Sequence, residues 1–203
     1  ASAAARIAGC LAELGEVEEG WRVAIEIPLR RGQAEALAGL APHLPAARRE
    51  AAYVRALQTA RDIADEAERL SVMARLLPEL PRALQLAALA DALRAAVVMK
   101  EAAAACQQRA RLRPHATPLA ALAAPLAAMA SEPVTPEFDS ALRGMWLAGG
   151  LGERLLHLLS RQPRPTTLLD LAVLAPLLAR LAAGQAAAGE ISSAVRQVAR
   201  WWP

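Results

Sequence analysis

The feature that most constrains the fold is a proline-containing segment that recurs every thirty-six residues. It reads LAPHLP at 40–45, LLPELP at 76–81 and LRPHATP at 112–118. The same shift aligns five sets of residues: Ala24, Ala60 and Ala96; Ile27, Ile63 and Met99; Ala38, Ala74 and Ala110; Leu40, Leu76 and Leu112; and Pro42, Pro78 and Pro114. Periods of roughly 20 to 50 residues are typical of stacked supersecondary units. The spacing therefore predicts a helical repeat with a unit of about thirty-six residues.

Each unit is predicted to be a longer helix paired with the shorter helix that follows it, and the proline segment closes the unit. Residues 46–66 carry an apolar stripe at helical spacing with polar residues opposite, which indicates a helix with one exposed face. Residues 67–77 carry apolar side chains on two sides, so we expect this shorter helix to be covered on both. Pro78 disfavours helical geometry at the residue before it, whereas Pro45 and Pro81 suit the first turn of the following helix. Such pairs bury their apolar faces against neighbouring pairs.

These patterns predict an all-α fold, an α-solenoid of antiparallel helix pairs similar to TPR or HEAT repeats, with a helical C-terminal cap. The chain holds one Phe and one Tyr, a composition that argues against strands. We expect helical repeats over residues 1–130, a connection over 131–138 and the cap over 139–203. The three parts are expected to pack as one continuous domain.

The cap is predicted from the helical segments 138–150, 151–162, 166–181 and 189–202. A further helix is predicted at 117–130, before the connection. Either Thr166 or Thr167 is expected to cap the helix at 166–181, with Asp170 near its positive end. Pro176 lies deep inside that segment, so we expect a kink there or a division into two short helices.

The charge pattern argues against a nucleic-acid partner. The formal net charge is +3, and the basic residues are almost all arginines that alternate with acids. Lys100 is the only lysine. A nucleic-acid surface would need its basic residues clustered on one face.

The chain is expected to lie in the cytoplasm and not in a membrane. Its apolar runs are interrupted before the ~20 residues that a membrane helix needs, and no cationic segment typical of a secretory signal opens it. Cys10 and Cys106 are far apart and outside any metal-ligand spacing, which indicates two small buried side chains in a reducing compartment. Because the sequence starts at Ala1 without a methionine, we expect it to be part of a longer protein.

No catalytic pattern is found in the sequence. A glycine-rich phosphate loop with a lysine, HExxH, a nucleophile elbow and paired cysteines are all missing. We therefore expect no catalytic residue, no cofactor and no metal. His43, Glu79 and His115 occupy the same turn position, and a position that accepts Glu is interpreted as a solvated loop. His157 lies among leucines and is interpreted as a partly buried helix residue.

Tryptophan is the residue type most suggestive of a binding site. The last predicted helix has an apolar stripe of Ile191, Val195, Val198 and Trp202. Trp201 lies beside this stripe, so the helix ends in an aromatic pair. Core packing or capping of the repeats is one interpretation; binding of a partner through Trp201 and Trp202 is the other, since Trp is enriched at binding hot spots. Trp21 and Trp146 are interpreted as core residues.

Three segments resemble a known family. AEALAGLAPHLP, ARDIADEAERLSVMARLLPELP and the ending LAVLAPLLARLAAG…AVRQVARWWP are similar to the Ala/Leu-rich helical repeats at the C-termini of large bacterial STAND proteins. These are NLR-like signalling ATPases, some of which carry caspase-like protease or other effector domains. The resemblance covers residues 24–80 and 168–203, and residues 99–165 diverge more. It implies a sensor or interaction region, with the ATPase and the effector elsewhere in the full-length protein.

The sequence supports two functional hypotheses. The first is a non-enzymatic helical-repeat sensor in bacterial immunity or signalling, which binds a protein partner or other domains of its own full-length protein. The alternative is a structural scaffold or oligomerisation domain that associates with copies of itself. An enzyme with an unfamiliar helical active site is a third hypothesis.

Overall fold

The computed structural model describes residues 3–110, 118–131, 135–147 and 150–182. These residues form ten α-helices and three short 3-10 segments, with no strand among them. The helices are α1 (Ala3–Glu13), α2 (Val17–Glu26), α3 (Arg30–Leu40), α4 (Ala46–Arg61), α5 (Glu66–Leu76), α6 (Arg82–Ala110), α7 (Ala123–Ser131), α8 (Pro136–Leu147), α9 (Leu151–Ser160) and α10 (Arg164–Ala182). The predicted all-α class is confirmed.

Two consecutive helix pairs, α3–α4 and α5–α6, begin at positions thirty-six residues apart. The corresponding first residues are Arg30 and Glu66, then Ala41 and Leu77 for the 3-10 segments, then Ala46 and Arg82. Within each pair the two helices pack on each other, α3 also contacts α5, and α4 contacts α6. The closely packed pairs are therefore α3–α4 and α5–α6, with the proline segment inside each pair. The predicted pairing of α4 with α5, with the proline segment at the end of the unit, is wrong.

The buried positions recur with the same shift. Leu37 and Met73 are both fully buried, as are Ala60 and Ala96. Further buried positions are shared by the two pairs: Ala34 and Leu70, Ala36 and Val72, Leu40 and Leu76, Ala52 and Ala88, Tyr53 and Leu89, Ala56 and Ala92, Leu57 and Leu93. More positions therefore repeat in burial than repeat in residue identity, because a position can be buried in both pairs while its side chain differs.

The thirty-six-residue spacing of helix ends does not continue in α6, which extends beyond the position where α4 ends. Helix α4 ends at Arg61, and Asp65 caps α5 by accepting a 2.7 Å hydrogen bond from the Glu68 amide. Thirty-six residues later the chain has Val98 and Glu101 in place of Asp62 and Asp65, and α6 continues to Ala110. Short side chains such as Asp favour helix ends, whereas Glu is a good helix former. Of the third proline segment, the described residues include only Pro118.

The first proline of each segment does not act as predicted. Leu77, the residue before Pro78, keeps helical angles of φ −45° and ψ −50°. The chain instead becomes extended at Leu44 and Leu80, with ψ of 150° and 145°, immediately before the second proline. Pro78 is tolerated because it occupies the start of a 3-10 segment, where the missing N–H is not needed. The second proline, Pro45 or Pro81, lies immediately before the next helix and accepts that helix's first hydrogen bonds with its carbonyl. Its missing N–H costs nothing there, as predicted.

The C-terminal helices also depart from prediction. The segment at 117–130 consists of a 3-10 segment, Pro118–Leu122, followed by α7. Helix α10 begins at Arg164, so neither threonine caps it; Thr167 lies inside the helix and donates to the Leu159 carbonyl at 3.0 Å. The helix continues through Pro176, contrary to the predicted division. Ala172, whose carbonyl lies four residues before Pro176, is on an exposed face where water can satisfy it.

Helices α8 and α9 pack on α6, and α10 packs on α7, α8 and α9. The long α6 therefore belongs to both parts of the molecule: it completes a repeat pair with α5, and it also contacts α8, α9 and, through Lys100, α10. At the predicted connection, α7 extends to Ser131 and α8 begins at Pro136. None of the described helices is long and apolar enough to cross a membrane.

Candidate functional site

The residues proposed from the sequence do not form a site within the described part of the chain. Trp201, Trp202 and His115 lie outside the described residues. His43 is exposed in its 3-10 segment, which agrees with a solvated loop, and His157 is exposed on α9 and not partly buried as predicted. Among the described residues, no group of three or more His, Cys, Asp or Glu is placed to hold a metal ion.

Cys10 contradicts the prediction of a small buried side chain. It is exposed on α1 and lines a shallow groove together with Ala3, Arg6, Ile7, Leu11 and Leu14. The side chains of Ile7 and Leu14 are 54% and 79% exposed. Spacing along the sequence identifies this stripe as one face of a helix but cannot tell whether another element covers it. The Cys106 side chain lies outside the description.

Trp21 and Trp146 pack against the hydrophobic core, which confirms their interpretation. The Arg55 guanidinium lies 6.0 Å from the centre of the Trp21 ring. Trp146 lies directly over Gly152, where an added Cβ would be 2.2 Å from the indole Nε1. This contact requires glycine at the start of α9.

A pair of side-chain hydrogen bonds recurs between the repeat units and was not predicted. Gln33 Nε2 donates to the Ile25 carbonyl at 2.7 Å, and thirty-six residues later Arg69 donates to the Arg61 carbonyl at 3.4 Å. Each bond satisfies a carbonyl in the last turn of the preceding helix. Gln33 and Arg69 occupy equivalent positions of the two units but are different residue types. Aligning the units by residue identity therefore does not show that both bind a helix-end carbonyl.

A second bond recurs at the start of the second helix of each pair. Arg49 donates to the Leu44 carbonyl at 3.3 Å, and Gln85 donates to the Leu80 carbonyl at 3.1 Å. Both carbonyls belong to the extended residue before a proline. The two recurrent bonds show that polar contacts at the helix ends follow the same thirty-six-residue spacing as the apolar core.

A cluster of charges connects the two repeat units at the surface. The Glu35 side chain on α3 is 6% exposed and receives hydrogen bonds from Arg31 at 3.2 Å and from Arg75 on α5 at 2.7 Å. The side chains of Arg31 and Arg75 are 45% and 49% exposed. Both guanidiniums are therefore held by a carboxylate on one side and remain accessible to a partner on the other. We call Arg31, Glu35 and Arg75 the α3/α5 charge cluster.

Two titratable groups border this cluster. Partial burial raises the pKa of Glu79, an effect that Arg75 opposes and Glu35 reinforces. Burial also raises the pKa of Tyr53, with a further contribution from Glu79 and opposition from Arg49. The charged form of Glu79 is therefore disfavoured in the folded protein.

The most deeply buried charges form an ion pair between α6 and α10. Lys100 Nζ donates to Asp170 Oδ2, and the two side chains are 2% and 0% exposed. With its amide oriented to suit both neighbours, Gln162 donates to Asp170 at 2.9 Å and accepts from Lys100 at 3.0 Å. The sequence shows a lone lysine and an aspartate in an apolar run, but it does not show that they meet. Because both are shielded from solvent, their role in this conformation is to join the two helices.

Phe138 on α8 lies beside two further cations. The guanidinium carbons of Arg82 and Arg180 are 5.3 Å and 5.7 Å from the centre of its ring, within the range of cation–π attraction. Arg180 and the neighbouring Asp139 are both 6% exposed. The start of α6, the start of α8 and the end of α10 thus meet at cation–π contacts around Phe138.

Helix α10 presents an apolar face to solvent. The exposed residues on this face are Pro165, Leu168, Leu169, Ala172, Ala175 and Ala179. Leu168 and Leu169 are 56% and 62% exposed. Asp170 lies within this range and Arg180 directly follows it. Both charged side chains are buried, on the other side of the helix. We call this surface the α10 face.

Compared with models of known protein families, with curated proteins and with solved structures, the chain shows no match. The arrangement of helices and side chains described above is therefore the basis on which a function can be proposed.

Proposed function

We propose that this chain is a non-catalytic α-solenoid interaction module of a larger bacterial STAND-type protein of defence or signalling, acting in the cytoplasm. It would recognise a protein partner or another domain of its own full-length protein. The observation that carries the proposal is the recurrence, in two consecutive helix pairs, of helix starts, buried positions and helix-end hydrogen bonds. Repeats of this kind present an extended surface that spans several units.

The α3/α5 charge cluster is the part of that surface best suited to a protein partner. Glu35 holds the guanidiniums of Arg31 and Arg75 in fixed positions, and each keeps about half of its side-chain surface exposed (45% and 49%). Arginine presents several donors in a planar fork that matches a carboxylate. The cluster contains two cations and one carboxylate, so a partner segment with exposed acidic side chains is the expected ligand.

The first experiment identifies the partner domain. The coding sequence upstream of Ala1 is expected to encode a nucleotide-binding domain with a P-loop. That domain, purified separately, is then titrated with the full chain by isothermal calorimetry. An upstream region without any nucleotide-binding domain would contradict the STAND assignment.

The second experiment tests the surface. The double variant Arg31→Glu, Arg75→Glu is expected to weaken binding at least tenfold, because each substitution places a negative charge where we expect the partner's acidic side chains. Arg22→Glu is the matched control, since Arg22 also forms an exposed ion pair but lies on α2. Equal binding by the control and the double variant would contradict the α3/α5 site.

A further inference from the structure

The first helix pair, α1–α2, is a third unit of the repeat. Ala24 on α2 is fully buried, at the position that Ala60 and Ala96 occupy in the later units. Gln33 on α3 binds the end of α2 as Arg69 on α5 binds the end of α4. Helices α1 and α2 pack on each other and both contact α3, just as α3 and α4 pack on each other and both contact α5. Helix α1 is therefore the first helix of a unit, equivalent to α3 and α5.

The first helix of a unit packs on the second helix of the unit before it through one stripe of side chains. On α3, Gln33 donates to the Ile25 carbonyl of α2 at 2.7 Å. One turn further along the same stripe, a Cβ added to Gly20 of α2 would lie 3.1 Å from Leu40 Cδ2. The stripe consists of Gln33, Leu37, Leu40 and Leu44 on the first of these units and of Arg69, Met73, Leu76 and Leu80 on the next. All six apolar members are at most 4% exposed.

The equivalent stripe on α1 is exposed. The segment IAGC at 7–10 corresponds to LAGL at 37–40, which places Ile7 at the position of Leu37 and Cys10 at that of Leu40. We call Ala3, Ile7, Cys10 and Leu14 the α1 stripe; they line the shallow groove described above. Ile7 and Leu14 are 54% and 79% exposed, whereas their counterparts Leu37 and Leu44 are 0% and 3% exposed. The interface that joins successive units is therefore open at α1.

The repeat itself indicates what fits this surface. At both joints that the structure describes, the stripe is covered by the second helix of the preceding unit, α2 or α4. Only the short connections Ile27–Leu29 and Asp62–Asp65 separate that helix from the first helix of the next unit. The helix that covers a stripe is thus the one directly before it in the chain.

We propose that the α1 stripe receives the second helix of one further repeat unit, formed by the residues directly upstream of Ala1 in the full-length protein. The stripe is then an internal joint of a longer solenoid, and separate partners bind elsewhere. The proposal rests on the proposed function in one respect, that the chain is part of a longer protein.

The register of this joint is also determined. Leu40 follows Gly20 by twenty residues, and Leu76 follows Ala56 by the same number. Because Cys10 occupies the position of Leu40, the residue twenty positions before Cys10 is expected to be small, like Gly20 and Ala56. A charged or aromatic residue at that position, or a gene that encodes nothing upstream of Ala1, overturns the proposal.

The first test compares the 203-residue chain with the same chain extended by its natural upstream residues to the length of one further unit, about thirty-six residues. Both carry Cys106→Ser, and any upstream cysteine is replaced by serine. Alkylation of Cys10 by iodoacetamide is expected to be at least tenfold slower in the extended chain. Ala51→Cys in a Cys10→Ser background, exposed on α4, is the control and should react equally fast in both. Equal rates for Cys10 in the two chains overturn the proposal.

The second test asks whether the α1 stripe itself makes the contact. In the extended chain, Ile7→Glu should restore rapid alkylation of Cys10, because a carboxylate without a partner is costly to bury. Leu169→Glu changes an exposed leucine on α10 and should leave the protection unchanged. Protection that survives Ile7→Glu overturns the proposed contact.

The third test examines the register by cross-linking with a short bis-maleimide. In the extended chain, a cysteine introduced twenty positions before Cys10 should link to Cys10. A cysteine eighteen positions before Cys10 is the control, because the equivalent residues Arg22 and Gln58 are exposed on the other side of their helices. Equal linking of the two introduced cysteines, or no linking of the first, overturns the register.

Two outcomes separate this proposal from its alternatives. In the 203-residue chain, the alkylation rate of Cys10 should be the same at about 10 µM and about 500 µM, a range suited to weak association. A rate that falls with concentration identifies a second copy as the occupant and overturns the proposal. An upstream P-loop domain together with an unprotected Cys10 contradicts only this proposal, whereas a protected Cys10 without such a domain contradicts only the STAND assignment.

Discussion

The repeat pairs and the C-terminal helices place their charged side chains differently. In the pairs, ions meet at the surface: Arg61 and Asp91 join α4 to α6 at 2.7 Å, with side chains 46% and 19% exposed. Between α6 and α10, Lys100 and Asp170 are 2% and 0% exposed. Exposed ion pairs contribute about 0–1 kcal/mol, whereas breaking a buried pair is strongly destabilising.

This difference indicates that different interactions stabilise the two regions. The pairs rely on an apolar register that many side chains can satisfy, as the exchange of Leu37 for Met73 at one position shows. The C-terminal helices depend on a contact that one lysine and one aspartate must both supply. Substitutions should therefore have graded effects in the pairs and a large effect at the ion pair.

The largest effect is expected for Lys100→Met, because it leaves the Asp170 carboxylate buried without its cation. We expect a loss of about 3–5 kcal/mol in the free energy of unfolding, measured by urea denaturation followed by circular dichroism. The double variant Lys100→Met, Asp170→Leu should recover most of that loss, since no charge remains buried at the pair.

Arg154→Ala serves as the control for the ion pair. Arg154 joins α9 to Glu101 on α6 at 2.7 Å, with side chains 56% and 43% exposed. Its removal should cost less than about 1 kcal/mol. If Lys100→Met were no more destabilising than Arg154→Ala, the larger contribution assigned to the buried ion pair would be wrong.

The next effect concerns the close approach of helices in the pairs. Ala60 is fully buried on α4, at the position that Ala24 and Ala96 share. Ala60→Leu is expected to cost about 1–3 kcal/mol, because the added atoms have no room in a packed core. Ala51→Leu makes the same change at an exposed position of the same helix and should stay within about 0.5 kcal/mol. Similar unfolding midpoints for both variants would contradict the packing.

A smaller effect is expected at the recurrent hydrogen bonds. Gln33→Ala and Gln85→Ala each leave a helix-end carbonyl without its side-chain donor, and each should cost about 1 kcal/mol. Gln58→Ala, at an exposed position of α4, is the control. Thermal unfolding should rank both variants below the control by similar margins. If either variant unfolded at the same temperature as the control, the hydrogen bond at that site would contribute nothing measurable to stability.

The smallest effect depends on pH. Because the pKa of Glu79 is raised on folding, the folded state binds more protons than the unfolded state around that pKa, and its stability rises as the pH falls through it. Glu79→Gln should therefore be slightly more stable than the wild type at neutral pH, by less than about 0.5 kcal/mol. The advantage should vanish below about pH 4, where the unfolded carboxyl is also protonated. Glu50→Gln, at an exposed position, controls for net charge; an advantage for Glu79→Gln that persisted in acid would contradict the raised pKa.

Much of the fold could be predicted because its determinants are local. The thirty-six-residue spacing identified the length of the repeat, and an apolar stripe at helical spacing identified α4. The errors arose where contacts with other parts of the chain, or with solvent, changed the effect of a residue from the one its local sequence predicts. Pro176 was expected to kink or divide α10, and the helix is not divided; the effect of a proline depends on whether the freed carbonyl can be solvated. Thr167 was expected to cap the helix, yet it bonds to the end of α9.

The candidate sites were much less predictable. Binding by Trp201 and Trp202 remains a prediction, since both lie outside the described residues. The α3/α5 charge cluster was missed because Glu35 and Arg75 are forty residues apart and neither belongs to a motif. The α10 face was missed because an apolar helix looks buried until its neighbours are known.

The sequence by itself determined the helical class, the period of the repeat and the position of its turns. These depend on intrinsic helix preference, on the spacing of apolar residues and on proline, which act within a few residues. Only the tertiary structure decided that Lys100 meets Asp170, that residues of different chemistry share one capping role, and that one side of α10 faces solvent. Burial, and with it the strength of a charge or the availability of a surface, is set by what packs against a side chain from distant parts of the chain.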